Sequence, residues 1–286
     1  MPRIYVSSRY RTPNSQSTSD FTFPIRSGAL EFNQHSTAIV DSLCISNVFD
    51  SVIAGHNTKV YVRFRDATAD TRVDNVVELA PGDKTITSLA TELQTKLQAA
   101  MPTTGDFVGV AITVAKVGDC RLQFDISGLS LADTDSHMEI LTFSQLRLGA
   151  TNPYPIQWTG TGTNAIDFND LQDACSVCGF NSGIVYCSVG VPALAQHVSF
   201  QAYRNLYLHC SSEAESVGPR GESSIILQVV VGNTTRGDII TLNESYTAAP
   251  VSLPTAVSEL RFQLKDVTGK NVDLEGHDMS FALATQ

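Results

Sequence analysis

A single tryptophan, Trp158, and only 17% charged residues stand in this chain of 286 residues, and no apolar run approaches the length a membrane-spanning helix needs, about 18 residues. A helical membrane span is therefore excluded. The opening MPRIYVSSRYR has no apolar centre of the kind a secretory signal requires, so synthesis and folding are expected in the cytosol or nucleus. The chain has no GxSxG nucleophile elbow, no P-loop, no GxGxxG fingerprint and no HExxH pair, and its six histidines are scattered. Enzymes built on those motifs are excluded. The six cysteines are thinly spread, and Cys44, Cys120, Cys187 and Cys210 each stand in an apolar, strand-like context, so they read as buried free thiols more than as a disulfide frame.

What is present suffices for a folded core. Hydrophobic residues make up 42% of the chain and mean hydropathy is close to zero. The net charge of −10 is uneven. Residues 1–27 carry Arg3, Arg9, Arg11 and Arg26 against Asp20 alone, a basic, Ser/Thr-rich segment on an acidic body. It reads either as an arm that touches an acidic neighbour or nucleic acid, or as a solvated leader.

Strand signals dominate. In the C-terminal stretch Leu260, Phe262 and Leu264 alternate with Arg261, Gln263 and Lys265, Thr268-Gly269-Lys270 makes a turn, Val272 and Leu274 resume the alternation, and Met279, Phe281 and Leu283 form a closing strand. Further strands are predicted at 3–7, 20–25, 37–48, 59–64, 75–79, 139–143, 184–189, 205–210, 224–232 and 238–242, with a hairpin from Phe107–Val114 to Arg121–Ile126 around Gly118-Asp119. After Gly82 the period changes. Ile86, Leu89, Ala90, Leu93, Leu97 and Ala100 recur at three and four, predicting one amphipathic helix with Thr87 or Ser88 as N-cap and Pro102 beyond its end.

Many short strands with one helix predict a mainly β protein, a jelly-roll β-sandwich with an inserted α+β region that holds the helix. The expected division is a basic arm over 1–27, the sandwich over 28–80 and 181–286, and an inserted subdomain over 81–180. Deleting the arm is then expected to leave the sandwich folded and to impair assembly.

Little chemistry is on offer. Cys175-Ser176-Val177-Cys178 is a CxxC, but Cys187, His197 and His209 complete no usual zinc spacing and the βαβ context of a redox motif is absent, so no metal and no cofactor is expected. Asp266, Asp273, Glu275 and Asp278 read as solvated turn carboxylates. The sequons at Asn233 and Asn243 are expected to stay unmodified without a secretory route. Gly218-Pro219-Arg220-Gly221 is a tight loop that presents Arg220 as a contact candidate. The loop NPYPIQWTGTGT offers Tyr154 and Trp158 as aromatics that could stack on a sugar.

Ser8-Arg9-Tyr10-Arg11, a Ser/Thr/Asn spacer and Ser19-Asp20-Phe21-Thr22, together with the PGDKTITSLATELQTKLQ helix and the pattern from Leu264 through Leu283, resemble the penton-type minor capsid proteins of small double-jelly-roll DNA viruses, the virophage, polinton-like virus and adintovirus group. The resemblance covers both ends well and the middle loosely. It implies a virion protein, not an enzyme, that assembles as a homopentamer at icosahedral vertices beside the major capsid protein, with other minor capsid proteins or a vertex spike as further partners and nucleic acid reached only through the arm. It implies subunit contacts at Arg9, Arg11, Asp20 and Phe21, and an insertion that projects outward. The alternatives are a facet-cementing minor capsid protein and a carbohydrate- or receptor-binding β-sandwich acting through Tyr154 and Trp158.

Overall fold

The computed structural model describes residues 3–25, 36–128, 135–142, 145–146, 158–167, 172–180, 185–212, 218–219, 221–222, 224–232, 234–243, 248–253 and 258–285. The chain divides into two compact units, one made of residues 1–49 and 203–286, the other of 50–202.

The first unit is a two-sheet sandwich. Its strands are β1 (Arg3–Ser7), β2 (Asp20–Pro24), β3 (Ser36–Ser46), β11 (Asn205–Cys210), β12 (Ile225–Val230), β13 (Ile239–Asn243), β14 (Val251–Leu253), β15 (Glu259–Lys265) and β16 (Met279–Thr285). One sheet has the order β1-β16-β3-β13, with the short β14 also on β3, and the other the order β12-β11-β15-β2. With β14 set aside and the remaining strands numbered one to eight along the chain, the orders are 1-8-3-6 and 2-7-4-5. Those are the interleaved Greek keys of a jelly roll. Alternation explains which faces meet: Leu260, Phe262 and Leu264 are buried and Arg261 is exposed, while Phe262 packs at a tilt against Phe21 at 5.8 Å and edge-on against Phe281 at 4.8 Å. That aromatic chain links β2 and β15 of one sheet to β16 of the other.

The N-terminal residues are not an arm. β1 pairs with β16 from Arg3↔Ala284 to Ser7↔Ser280, and β2 pairs with β15 from Asp20↔Gln263 to Pro24↔Glu259. Each is an edge strand of its sheet, and Val6 and Phe21 are core residues. Removing the segment would take an edge strand from each sheet, so the truncated sandwich is now expected to be destabilised.

The second unit interrupts the sandwich between its third and fourth strands, β3 and β11. Its strands are β4 (Lys59–Asp66), β5 (Thr71–Glu78), β6 (Ala111–Val117), β7 (Arg121–Ser127), β8 (His137–Leu141), β9 (Val185–Ser188) and β10 (Ala193–Leu194), with helices α1 (Ile86–Ala100) and α2 (Cys175–Cys178). They form sheets of order β5-β4-β8-β9 and β10-β7-β6. The inserted unit therefore runs over 50–202 where sequence placed it over 81–180. The reason is pairing: β4 and β5 look like sandwich strands locally, yet β5 pairs with β4, and β4 with β8.

The N-cap lies two residues before the earliest expected one. Thr85 is the N-cap, because its hydroxyl accepts the Ser88 N–H (3.1 Å) while the Ser88 hydroxyl accepts the Thr85 N–H (2.9 Å), a closed capping box. Ile86, Leu89, Ala90, Leu93 and Leu97 are buried in the core of this unit with Val62, Phe64 and Phe124. On another face, Gln94 accepts the Val114 N–H (3.1 Å) and Gln98 the Ile112 N–H (2.8 Å), so the helix covers the edge of β6. Phe107, expected to open the hairpin, lies in a 3-10 turn and packs edge-on against Phe64 at 5.4 Å. Val272 and Leu274 are buried but belong to no strand.

Candidate functional site

The sequence candidates part company in the structure. A 3-10 turn, Ser8–Tyr10, follows β1 and is held to β16 through Ser8, whose hydroxyl donates to Asp278 (3.0 Å) and accepts the Met279 N–H (3.0 Å). The turn leaves Arg9 and Arg11 exposed. Arg11 donates to the Ser8 carbonyl within the turn (3.0 Å), and among the described residues the Arg9 side chain makes no hydrogen bond or ion pair. Beside them stand Tyr5 and Tyr10, 73% and 71% exposed, on a groove of about 330 Å³ lined also by Cys44, Thr241 and Ser280. Two arginines with two open tyrosines have the composition of interface anchors.

Asp20 and Phe21 are different. Asp20 is 2% exposed and accepts four hydrogen bonds, from Arg261 Nε (2.7 Å) and Nη2 (2.8 Å), Gln263 (2.9 Å) and Asn271 (2.9 Å). Burial works against its charge, but those bonds and the Arg261 charge outweigh it and hold the carboxyl below its usual range. Phe21 is wholly buried between the sheets. Both are interior supports of the sandwich, which corrects their expected place at a subunit contact. Arg220 and Tyr154 lie outside the described residues.

Trp158, expected in an open loop, is half-buried. Its indole N–H donates to the Asn164 carbonyl (2.7 Å), and its ring packs edge-on against Tyr61 at 5.8 Å in a small cluster with Leu141, Leu146, Val76 and Ile166. The next residue, Thr159, gives its N–H (2.7 Å) and hydroxyl (3.0 Å) to Asp74. The segment is thus tied down on one face of the β5-β4-β8-β9 sheet.

The CxxC forms the one-turn helix α2, closed by Gly179 at φ 85°. Burial, joined by the Asp173 charge, pushes both the Cys175 and the Cys178 thiol far up, so they stay protonated. Among the described residues, no group of three His, Cys, Asp or Glu could hold a metal ion, and no helix is long and apolar enough to cross a membrane.

Sequence reasoning missed a charged sheet face. Arg63 makes a buried, bidentate pair with Asp74 (Nε–Oδ1 2.6 Å, Nη2–Oδ2 3.0 Å), directly across from it on β5. His137 bonds Glu139 (3.0 Å), and its ring lies against that of Tyr186 with centroids 4.2 Å apart. The signal was available: Arg63 and Arg65, Arg72 and Asp74, His137 and Glu139 each recur at two, which puts every pair on one strand face.

No family model matches the chain, and no curated protein matches its sequence. Among solved structures, the penton protein of mavirus superposes with a TM-score of 0.50 over 100% of this chain and 99% of that one, at 8% identity. The chain has the fold of a viral penton protein. The match takes in both units. The flagellar cap protein FliD of Escherichia coli, with a TM-score of 0.16 at 8% identity over 93% of this chain and 100% of that one, is too dissimilar to bear on the fold.

Proposed function

We propose that the chain is a structural virion protein that fills the vertices of an icosahedral capsid as a homopentamer, in contact with the major capsid protein. The observation that carries this reading is the full-length likeness in fold to the mavirus penton protein, inserted unit included. The surface of Arg9, Arg11, Tyr5 and Tyr10 supports it, since these open anchors fit a contact between neighbouring subunits. In this reading the inserted unit faces the exterior, and the role is assembly, not catalysis.

The test is stoichiometry. The purified chain is measured by light scattering at low and high salt, then co-expressed with the major capsid protein, and the particles are imaged by electron microscopy. Five copies at each vertex are the expected result. Copies spread over the facets, or particles that assemble with closed vertices and exclude the chain, would overturn the reading. Charge reversal at Arg9 and Arg11 is expected to lower incorporation without changing the melting temperature.

A further inference from the structure

On the outer face of the β5-β4-β8-β9 sheet, strand register arranges the side chains in rows. The first row, Val76, Tyr61 and Leu141, is apolar and packs with Trp158 and Ile166. The second, Asp74, Arg63, Glu139 and Tyr186, matches its charges, with Arg63 bound to Asp74. The third row is Arg72, Arg65, His137 and Ser188. Here Arg65 has a second arginine directly opposite on one side and a histidine on the other.

Like charges directly opposite across strands are destabilising, with Cβ atoms only about 5 Å apart. Among the described residues, no ion pair neutralises this pair. Neither Arg65 nor Arg72 makes an ion pair or side-chain hydrogen bond among the described residues, and Arg65 Nε is buried without an acceptor. The acid one row away, Glu139, is engaged by His137 Nε2, while His137 Nδ1 faces the Asp135 carbonyl at 2.7 Å. Burial opposes the Glu139 charge, yet His137, Arg63 and Arg72 hold its carboxyl below the usual range, as expected in a positive field. Next to this row Tyr186 is 42% exposed, its ring tilted 37° against that of His137.

We propose that Arg65, Arg72 and Tyr186 form a binding site for an acidic sugar. The two guanidiniums pair with a carboxylate or sulfate, and the Tyr186 ring lies under the pyranose. A strand of acidic peptide added at the β5 edge, beside Arg72, fits less well, because Asn164 already takes the Val76 N–H there (3.0 Å). The proposal does not rest on the capsid reading, and it assigns sugar binding to a surface other than Tyr154 and Trp158.

The test titrates the full chain at physiological salt with a heparin-derived octasaccharide, with sialyllactose and with neutral lactose. Binding of at least one acidic sugar and none of lactose is expected, and the arm that binds distinguishes sulfate from carboxylate. Arg72→Gln and Tyr186→Ala are each expected to weaken binding tenfold or more. Both side chains are exposed, and Arg72→Gln removes a like-charge contact, so its melting temperature should stay level or rise while binding falls. Three results would overturn the site: no saturable binding of either acidic sugar, unchanged affinity in both variants, or competition by polyglutamate as strong as by the sugar.

Discussion

Asp20→Asn isolates a buried carboxylate whose partners come from the far end of the chain. The substitution keeps the shape but removes the charge, and it turns an amide NH₂ toward donors that now converge on Asp20: Arg261 Nε and Nη2, Gln263 and Asn271. Charge-assisted hydrogen bonds contribute about 1.5–3 kcal/mol, and two of the four come from Arg261. The Arg261 side chain is 46% exposed, so water recovers part of its loss. The expected net cost is roughly 2–3 kcal/mol, or a drop in melting temperature of roughly 6–12 °C by calorimetry. The pH dependence has a definite sign. Because the folded-state pKa of Asp20 is depressed, its contribution is complete above the unfolded value of about 4 and is lost as pH falls through the folded value. The gap between parent and variant should hold steady from neutral pH to about 5 and narrow below about 4. A shift under about 2 °C at neutral pH, or a gap that widens in acid, would refute the account of Asp20 as a charged hub.

Asp74→Ala removes the bidentate partner of the buried Arg63 and frees Thr159, so a loss of about 3–5 kcal/mol is expected together with a red shift of Trp158 emission; an unchanged spectrum would show that Thr159 does not hold that segment. His209, buried and hydrogen-bonded to Ser224, is pushed down to about 4 by burial and by Lys265, so the unfolded chain takes up its proton first and stability should fall as pH drops from about 6.5 towards 4. A His209→Gln variant should flatten that window in a pH series of melting curves, and an identical slope would refute the assignment. Gln94→Ala and Gln98→Ala should each cost about 1 kcal/mol and speed hydrogen exchange at the Val114 and Ile112 amides respectively, with exchange elsewhere in β6 as the control.

Tight local signals were legible. The alternation of Leu260, Phe262 and Leu264 marked β15 to within a residue, and the three-and-four spacing from Ile86 to Ala100 marked α1, because burial of one face imposes a period on the residues that line it. The cap was misplaced because Thr85, Thr87 and Ser88 offer similar hydroxyls, and only the reciprocal bonds to Ser88 choose among them. Trp158 in a Pro/Gly-rich loop looked open; Tyr61, from a strand about a hundred residues earlier, packs edge-on with its ring.

By itself, then, the sequence determined the element types, the mainly β class and the absence of the common catalytic motifs, all of which depend on neighbours a few residues apart. Tertiary structure decided partners. Residues 1–27 read as a basic arm or a solvated leader, with strand signals at 3–7 and 20–25, until β1 met β16 and β2 met β15, and Asp20 was expected at a subunit contact until Arg261, 241 residues away, reached it. Likewise the three bases Arg72, Arg65 and His137 are ordinary strand residues one at a time. They become a row only through register, and register is set by which hydrophobic faces bury together, a property of paired strands that no single strand carries.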